Sequence, residues 1–235
     1  LGTRMSPLTQ NIPKPLVKVF GRPMIETMIE GLRCRGVKRI YVVVGYKGEC
    51  FEYLTKKYDN VSTIKNDEYQ TVNNISSVHA AIPVMGDADC FICEADFYVF
   101  DPSIFDANLT HSCYYGFMVN GYSEEWVLEQ NESGRVVRVG KCGVDCYNMC
   151  GISWFKRDDT KKLADAIMRS YEHTGTYENL FWDEVVNKEL DNIDMTVYPV
   201  KREQIVEIDS VKELEKIDPN YMEENYYAES VSHFI

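Results

Sequence analysis

The 235-residue chain carries 37 acidic against 25 basic side chains, a formal net charge of −12. That balance excludes a general nucleic-acid binder, since a phosphate backbone attracts basic faces. Hydrophobic content of 45% and charged content of 26% are those of a globular chain with a substantial core, in one large domain or two small ones. No apolar run approaches the ~20 residues of a membrane span, and no signal peptide is visible. Phosphate chemistry in such a chain needs a local basic site.

The first two dozen residues suit that purpose. They run Leu1-Gly2-Thr3-Arg4, Pro7-Leu8-Thr9, Pro13-Lys14-Pro15-Leu16 and Gly21-Arg22-Pro23. Gly2 and Thr3 leave backbone N–H groups free to approach an anion, and Arg4 and Lys14 bring fixed positive charge to the same place. The stretch reads as a phosphate cradle or, less specifically, as a surface loop. Pro23 suits the first turn of a helix with an apolar stripe of Met24, Ile25, Met28, Ile29 and Leu32, stopped by Gly36. The β-branched run Ile40-Tyr41-Val42-Val43-Val44 predicts a parallel strand buried on both faces. A helix over 47–58 and a short strand over 61–64 follow. This alternation predicts a doubly wound α/β sheet, whose ligands sit where strands end and helices begin.

A polar connection then leads into a helix over 75–82. Asn73 and Asn74 at its start can cap it or read a base edge. The strand over 90–95 leaves the core at Glu94-Ala95-Asp96. Asp96 there is either a Mg²⁺ ligand, in the usual company of substrate phosphates, or a solvated turn acid. Strands are expected over 112–120, 126–130, 136–139 and 149–155, with a turn at Glu132-Ser133-Gly134. An aspartate-capped helix over 158–171 and a second helix over 177–190 come next. A strand over 195–198, the segment Ile205-Val206-Glu207-Ile208-Asp209-Ser210 and a helix from Val211 complete residues 1–218. Residues 219–235 form an acidic, aromatic tail, either a docking helix or the lead into a further domain. The eight cysteines are scattered. Cys90 and Cys93 point to opposite faces of their strand, and Cys142, Cys146 and Cys150 lack a matching Cys/His set. Reduced, structural thiols in a cytoplasmic chain are the expectation.

The opening residues resemble the signature of nucleotidyltransferases that join a nucleoside triphosphate to a phosphorylated small molecule. Within that superfamily the chain, from Leu1 to about Ile217, is most similar to the bacterial CTP:phosphocholine cytidylyltransferases. The likeness extends to Asn66-Asp67-Glu68-Tyr69, Asn73-Asn74, Glu94-Ala95-Asp96, Glu125-Trp126, Phe181-Trp182-Asp183 and Glu207-Ile208-Asp209-Ser210. It implies a Rossmann-like mixed, mostly parallel sheet flanked by helices, with a small β-rich acceptor-binding insertion. It also implies that a strand and a leading Ala-Ala-Gly precede Leu1.

Carried onto this sequence, the resemblance gives catalytic Arg4 and Lys14 a triphosphate to hold, beside the backbone of Gly2 and Thr3. It turns Asn73 and Asn74 toward cytidine, sets Asp96 and Asp209 on Mg²⁺, and brings Lys141 near the acceptor's phosphate. In-line attack by an ionised phosphate on the α-phosphorus of CTP needs positioning and cations more than a general base. A quaternary ammonium is recognised by aromatic faces and nearby carboxylates. Trp126 with Glu124 and Glu125, and Trp182 with Tyr177 and Asp183, could supply both; either Trp alone reads first as core, and the resemblance reverses that for the pair. Phosphocholine is therefore the expected acceptor. Phosphoethanolamine, 2-aminoethylphosphonate or a sugar 1-phosphate are the alternatives, and a non-catalytic nucleotide-binding module is the alternative from another class. No nucleic acid or membrane is expected as partner, while a homo-oligomer or a fused further domain stays open.

Overall fold

The computed structural model describes residues 3–86, 88–172 and 175–221. Its first elements are α1 (Leu8–Asn11), β1 (Lys18–Val19), β2 (Arg22–Pro23), α2 (Met24–Cys34), β3 (Ile40–Val44), α3 (Glu52–Lys57) and β4 (Val61–Lys65). Next come α4 (Ile75–Ala81), β5 (Cys90–Cys93), β6 (Phe97–Val99), β7 (Ser112–Gln130) and β8 (Val136–Phe155). The chain continues through α5 (Arg157–Tyr171), α6 (Trp182–Lys188), β9 (Met195–Pro199), β10 (Ile205–Glu207) and α7 (Val211–Ile217). The protein is α/β, with a mixed sheet and flanking helices. Parallel pairing joins β3 to β4 and β7 to β9. The remaining pairs, β1–β2, β6–β10, β5–β8 and β7–β8, are antiparallel.

The chain divides into two compact units. The first comprises Leu1–Val37, Ala95–Asp106 and Glu203–Ile235. Its core gathers Met5, Leu8, Val17, Val19, Met24, Tyr98, Ile208 and Leu214. The opening stretch is a series of short helical turns rather than a loop, with 3-10 turns at Thr3–Met5 and Lys14–Leu16 on either side of α1. Burial of Met5, Leu8, Leu16 and Val17 is what pins those turns down. Pro23 stands one residue before α2, and Gly36, at φ +85°, follows the helix as a left-handed stop. Thr27 donates its hydroxyl to the Met24 carbonyl and accepts the Val99 N–H, tying α2 to β6.

The second unit comprises Lys38–Glu94 and Ala107–Arg202. Its four-stranded sheet has the order β5-β8-β7-β9. The strands expected separately over 112–155 are two continuous ones, β7 and β8, and this long hairpin is the β-rich insertion. Pairing persists because bulges absorb the polar stretch, for instance between Val119 and Tyr122. There Gly121, at φ +86°, donates its N–H to Asp145. The turn falls where expected, with the Asn131 side chain accepting the N–H groups of Ser133 and Arg135. Helix α5 starts at Arg157 without capping by Asp158. Asp89, ahead of β5, accepts the Arg157 N–H at 2.9 Å instead. The helix expected over 177–190 is only Trp182–Lys188, and at its start Glu184 reaches back to the Phe181 N–H at 2.9 Å. The tail expected over 219–235 lies, from residue 222 on, outside the described residues. All eight cysteines are free. Among the described residues no helix is long and apolar enough to cross a membrane.

Candidate active site

In the first unit the antiparallel pair β6–β10 sets Phe97 opposite Glu207. Glu207, the last residue of β10, and Asp209 flank the buried Ile208 and bring a carboxylate oxygen each to the same place, and the Ile208 N–H meets the Asp96 carbonyl at 3.4 Å. Asp209 stands directly ahead of α7, whose cap is Ser210. The Asp209 N–H donates to the Glu213 carboxylate at 2.8 Å, so the helix start fixes the acid's position. Onto these acids the opening turns bring their cations. Lys14 Nζ lies 2.8 Å from Asp96 Oδ2 and 2.5 Å from Asp209 Oδ1, and Arg4 Nη2 lies 2.7 Å from Asp209 Oδ2. Burial alone would lower the Lys14 pKa. The charges and hydrogen bonds of Asp96 and Asp209 outweigh it and hold the ammonium above its ordinary value. Lys14 is therefore a fixed cation, engaged with carboxylates where the sequence suggested a free phosphate ligand.

One carboxylate oxygen from each of Asp96, Glu207 and Asp209 lies within 4.8 Å of the others. Asp96 Oδ1 is buried and has no hydrogen-bond partner. A buried carboxylate oxygen without a partner carries a desolvation cost that a bound cation relieves. Three hard oxygen donors and one orphaned atom fit a divalent ion of the Mg²⁺ kind. Glu207 was not among the expected ligands. Its signal in the sequence was the alternation Glu-Ile-Asp, in which two acids flank a core isoleucine. Gly2 lies outside the described residues, and Thr3 contributes backbone to the first turn.

The second unit holds the aromatic residues. Trp126 and Lys141 are cross-strand partners on the hairpin. Trp126 meets Phe181 edge to face at 5.2 Å between ring centroids. The Lys141 ammonium rests over both rings, 5.9 Å from the Trp126 centroid and 5.2 Å from that of Phe181. The structure thus makes Lys141 the guest of an aromatic corner formed by Trp126 and Phe181. Glu124 is exposed on β7. Tyr177 stacks on Tyr171 at 4.2 Å, and Tyr171 on His79 at 3.7 Å.

Two expected acceptor ligands are placed elsewhere. Trp182 is only 5% exposed, stacked on Tyr114 and edge-on to Phe155 in the core, so it is no open cage wall. Asp183 is buried beside it and accepts the Tyr114 hydroxyl at 3.0 Å. Desolvation pushes its carboxyl up to about 7, against the lowering effect of that hydrogen bond. Both point inward because α6 packs that face on the sheet. Asn73 and Asn74 spend their side chains on the protein as well. Asn73 Nδ2 donates to the Asn179 carbonyl, and Asn74 Oδ1 accepts the Trp182 N–H.

Residues 1–139 match the MobA-like NTP transferase domain family. A 2-aminoethylphosphonate cytidylyltransferase from Lancefieldella rimae is 47% identical over 94% of this chain and 90% of its own length. A choline-phosphate cytidylyltransferase from Streptococcus pneumoniae is 32% identical over 96% of each chain. The solved structure of a CTP:phosphocholine cytidylyltransferase from Streptococcus pneumoniae superposes with a TM-score of 0.84 at 31% identity, covering 93% of this chain and 94% of that one. With its opening signature, α/β fold and cation–carboxylate cluster, the chain belongs to the MobA-like NTP transferase family and is a nucleotidyltransferase.

Proposed function

We propose that this protein transfers the cytidylyl group of CTP to the phosphonate oxygen of 2-aminoethylphosphonate, releasing pyrophosphate. The observation that carries the reaction type is the cluster of Arg4, Lys14, Asp96, Glu207 and Asp209. The attacking phosphonate is already ionised, so no protein nucleophile or general base is required. Arg4 and Lys14 supply fixed positive charge for the triphosphate, and exchange their carboxylate partners for phosphate oxygens when nucleotide binds. Asp96, Glu207 and Asp209 are the residues that would hold Mg²⁺, which when bound neutralises charge developing on the phosphates. The eight free thiols support a cytoplasmic setting.

Recognition of the acceptor is assigned to Trp126 and Phe181. Their corner already receives a primary ammonium, that of Lys141. The acceptor's own ammonium binds there by the same cation–aromatic attraction, and Lys141 is released toward the phosphonate. The 47% identity to a 2-aminoethylphosphonate enzyme supports this choice. Phosphocholine is the second reading, supported by the relative at 32% identity and by the tolerance of aromatic faces for a quaternary ammonium.

The test follows pyrophosphate release with CTP, Mg²⁺ and each of 2-aminoethylphosphonate, phosphoethanolamine, phosphocholine and a sugar 1-phosphate. The expected kcat/KM is highest for 2-aminoethylphosphonate. A higher value for phosphocholine overturns the acceptor assignment, and no release with any amine overturns the reaction.

A further inference from the structure

Asn73 and Asn74 stand at the head of α4, where the sequence suggested a contact with the base. Three of their bonds run instead to one segment, residues 178–182. The Asn73 N–H donates to the Glu178 carbonyl at 2.8 Å, and Asn73 Nδ2 donates to the Asn179 carbonyl at 3.2 Å. The Trp182 N–H donates to Asn74 Oδ1 at 3.0 Å. Asn73 Oδ1 accepts the Asn74 N–H at 2.8 Å, which locks the two asparagines in one arrangement.

The last of the bonds to the segment has a specific physical role. Trp182 is the first residue of α6, and the first N–H groups of a helix have no partner inside it. Glu184 takes the Phe181 N–H from within the helix. Asn74 takes the next donor from more than a hundred residues away in sequence, acting as a cap supplied by another part of the chain. Phe181 lies between the Asn179 carbonyl and the Trp182 N–H, and so is held on both sides by this turn. Its ring forms the aromatic corner with Trp126, while Trp182 is anchored against Tyr114.

We propose that the Asn73–Asn74 turn is the positioning element of the acceptor subsite. Its three bonds to residues 178–182 set where α6 begins and aim Phe181 at Trp126. The asparagines act through Phe181 and do not themselves touch the acceptor. This inference rests on the assignment of Trp126 and Phe181 to the acceptor's ammonium.

The test compares the full chain with Asn74→Leu, Asn74→Asp and Asn73→Asp. Leucine removes the acceptor oxygen at nearly constant size, and aspartate at 74 retains one. Losing a hydrogen bond of ordinary worth predicts that Asn74→Leu raises the KM for the amine acceptor about tenfold. The KM for CTP and the preference for CTP over UTP are expected to stay within about twofold. Asn74→Asp is expected to restore the acceptor KM. Asn73→Asp, which replaces the donor to Asn179 with a carboxylate oxygen facing that carbonyl, is expected to raise the acceptor KM severalfold. Amide hydrogen exchange at Trp182 is expected to accelerate in Asn74→Leu and not in Asn74→Asp.

A parallel rise in CTP KM, or relaxed base choice, would mean that the asparagines read the nucleotide, and overturns the proposal. Unchanged exchange at Trp182 overturns it too. If the unaltered chain turns over no amine acceptor, the functional assignment falls, while the exchange measurement still decides whether Asn74 holds the start of α6.

Discussion

Asp183 offers the sharpest quantitative test, because its carboxyl has been taken out of water without a cationic partner among the described residues. Burial raises its pKa from 3.8 to about 7, and the Tyr114 hydroxyl offsets only part of that. The sign is opposite to that of a salt-bridged acid. The native state binds the proton more tightly than the unfolded chain, so this group costs nothing below about pH 4 and progressively more as pH rises toward 7. A shift of about three units corresponds to a penalty of ~4 kcal/mol once both states are ionised, at 1.36 kcal/mol per unit. Near pH 5 the unfolded chain is mostly ionised and the native carboxyl is still protonated, so less than half of the penalty has accrued.

Asp183→Asn keeps an oxygen for the Tyr114 hydroxyl and cannot ionise. The variant is expected to gain stability over the unaltered chain as pH rises, by roughly 2 to 3 kcal/mol between pH 5 and pH 8. Urea unfolding followed at several pH values reads this difference directly from the midpoints, provided m is unchanged. Two stability curves that run parallel across that range would show that Asp183 titrates like an exposed acid. The burial argument would then be wrong.

Two further outcomes follow from other sites. Glu207→Gln removes one of three clustered carboxylates but leaves Asp96 and Asp209, so the Mg²⁺ concentration giving half-maximal activity should rise by about tenfold with little change in fold; an unchanged metal requirement would remove Glu207 from the site. Gly31 faces Phe105, and a Cβ added there would stand 2.5 Å from two ring carbons of a fully buried side chain. Overpacking of that kind costs ~1–3 kcal/mol, partly offset by the roughly 1 kcal/mol that alanine gains in helix propensity. Gly31→Ala should therefore unfold at lower urea concentration than the unaltered chain, and a stabilised variant would show that the Phe105 ring yields without cost.

The cations and acids of the first unit were readable because their chemistry is local. Arg4 and Lys14 lie in a signature dense with proline and glycine, and Asp96 and Asp209 stand where apolar strands end. The alternation Glu207-Ile208-Asp209 already carried the third acid, since Glu207 and Asp209 flank the same buried isoleucine. Strand and helix periods likewise announced α2, β3, α4 and α5 to within a residue or two.

Side-chain direction was not readable. Trp182 and Asp183 follow Phe181 in a row that suggests one binding surface. Yet α6 turns about 100° per residue, so adjacent side chains need not share a surface, and packing against Tyr114 and Phe155 took Trp182 and Asp183 into the core while Phe181 went to Trp126. Asn73 and Asn74 present polar groups suited to a base or to a cap. Which of these they serve depends on a carbonyl and an N–H more than a hundred residues away. The sequence by itself determined the class of chemistry, because cations, acids and strand ends lie within short, regular stretches. Only the tertiary structure decided which side chains meet, because burial and distant backbone partners compete for the same groups, and their balance is settled only when the chain packs.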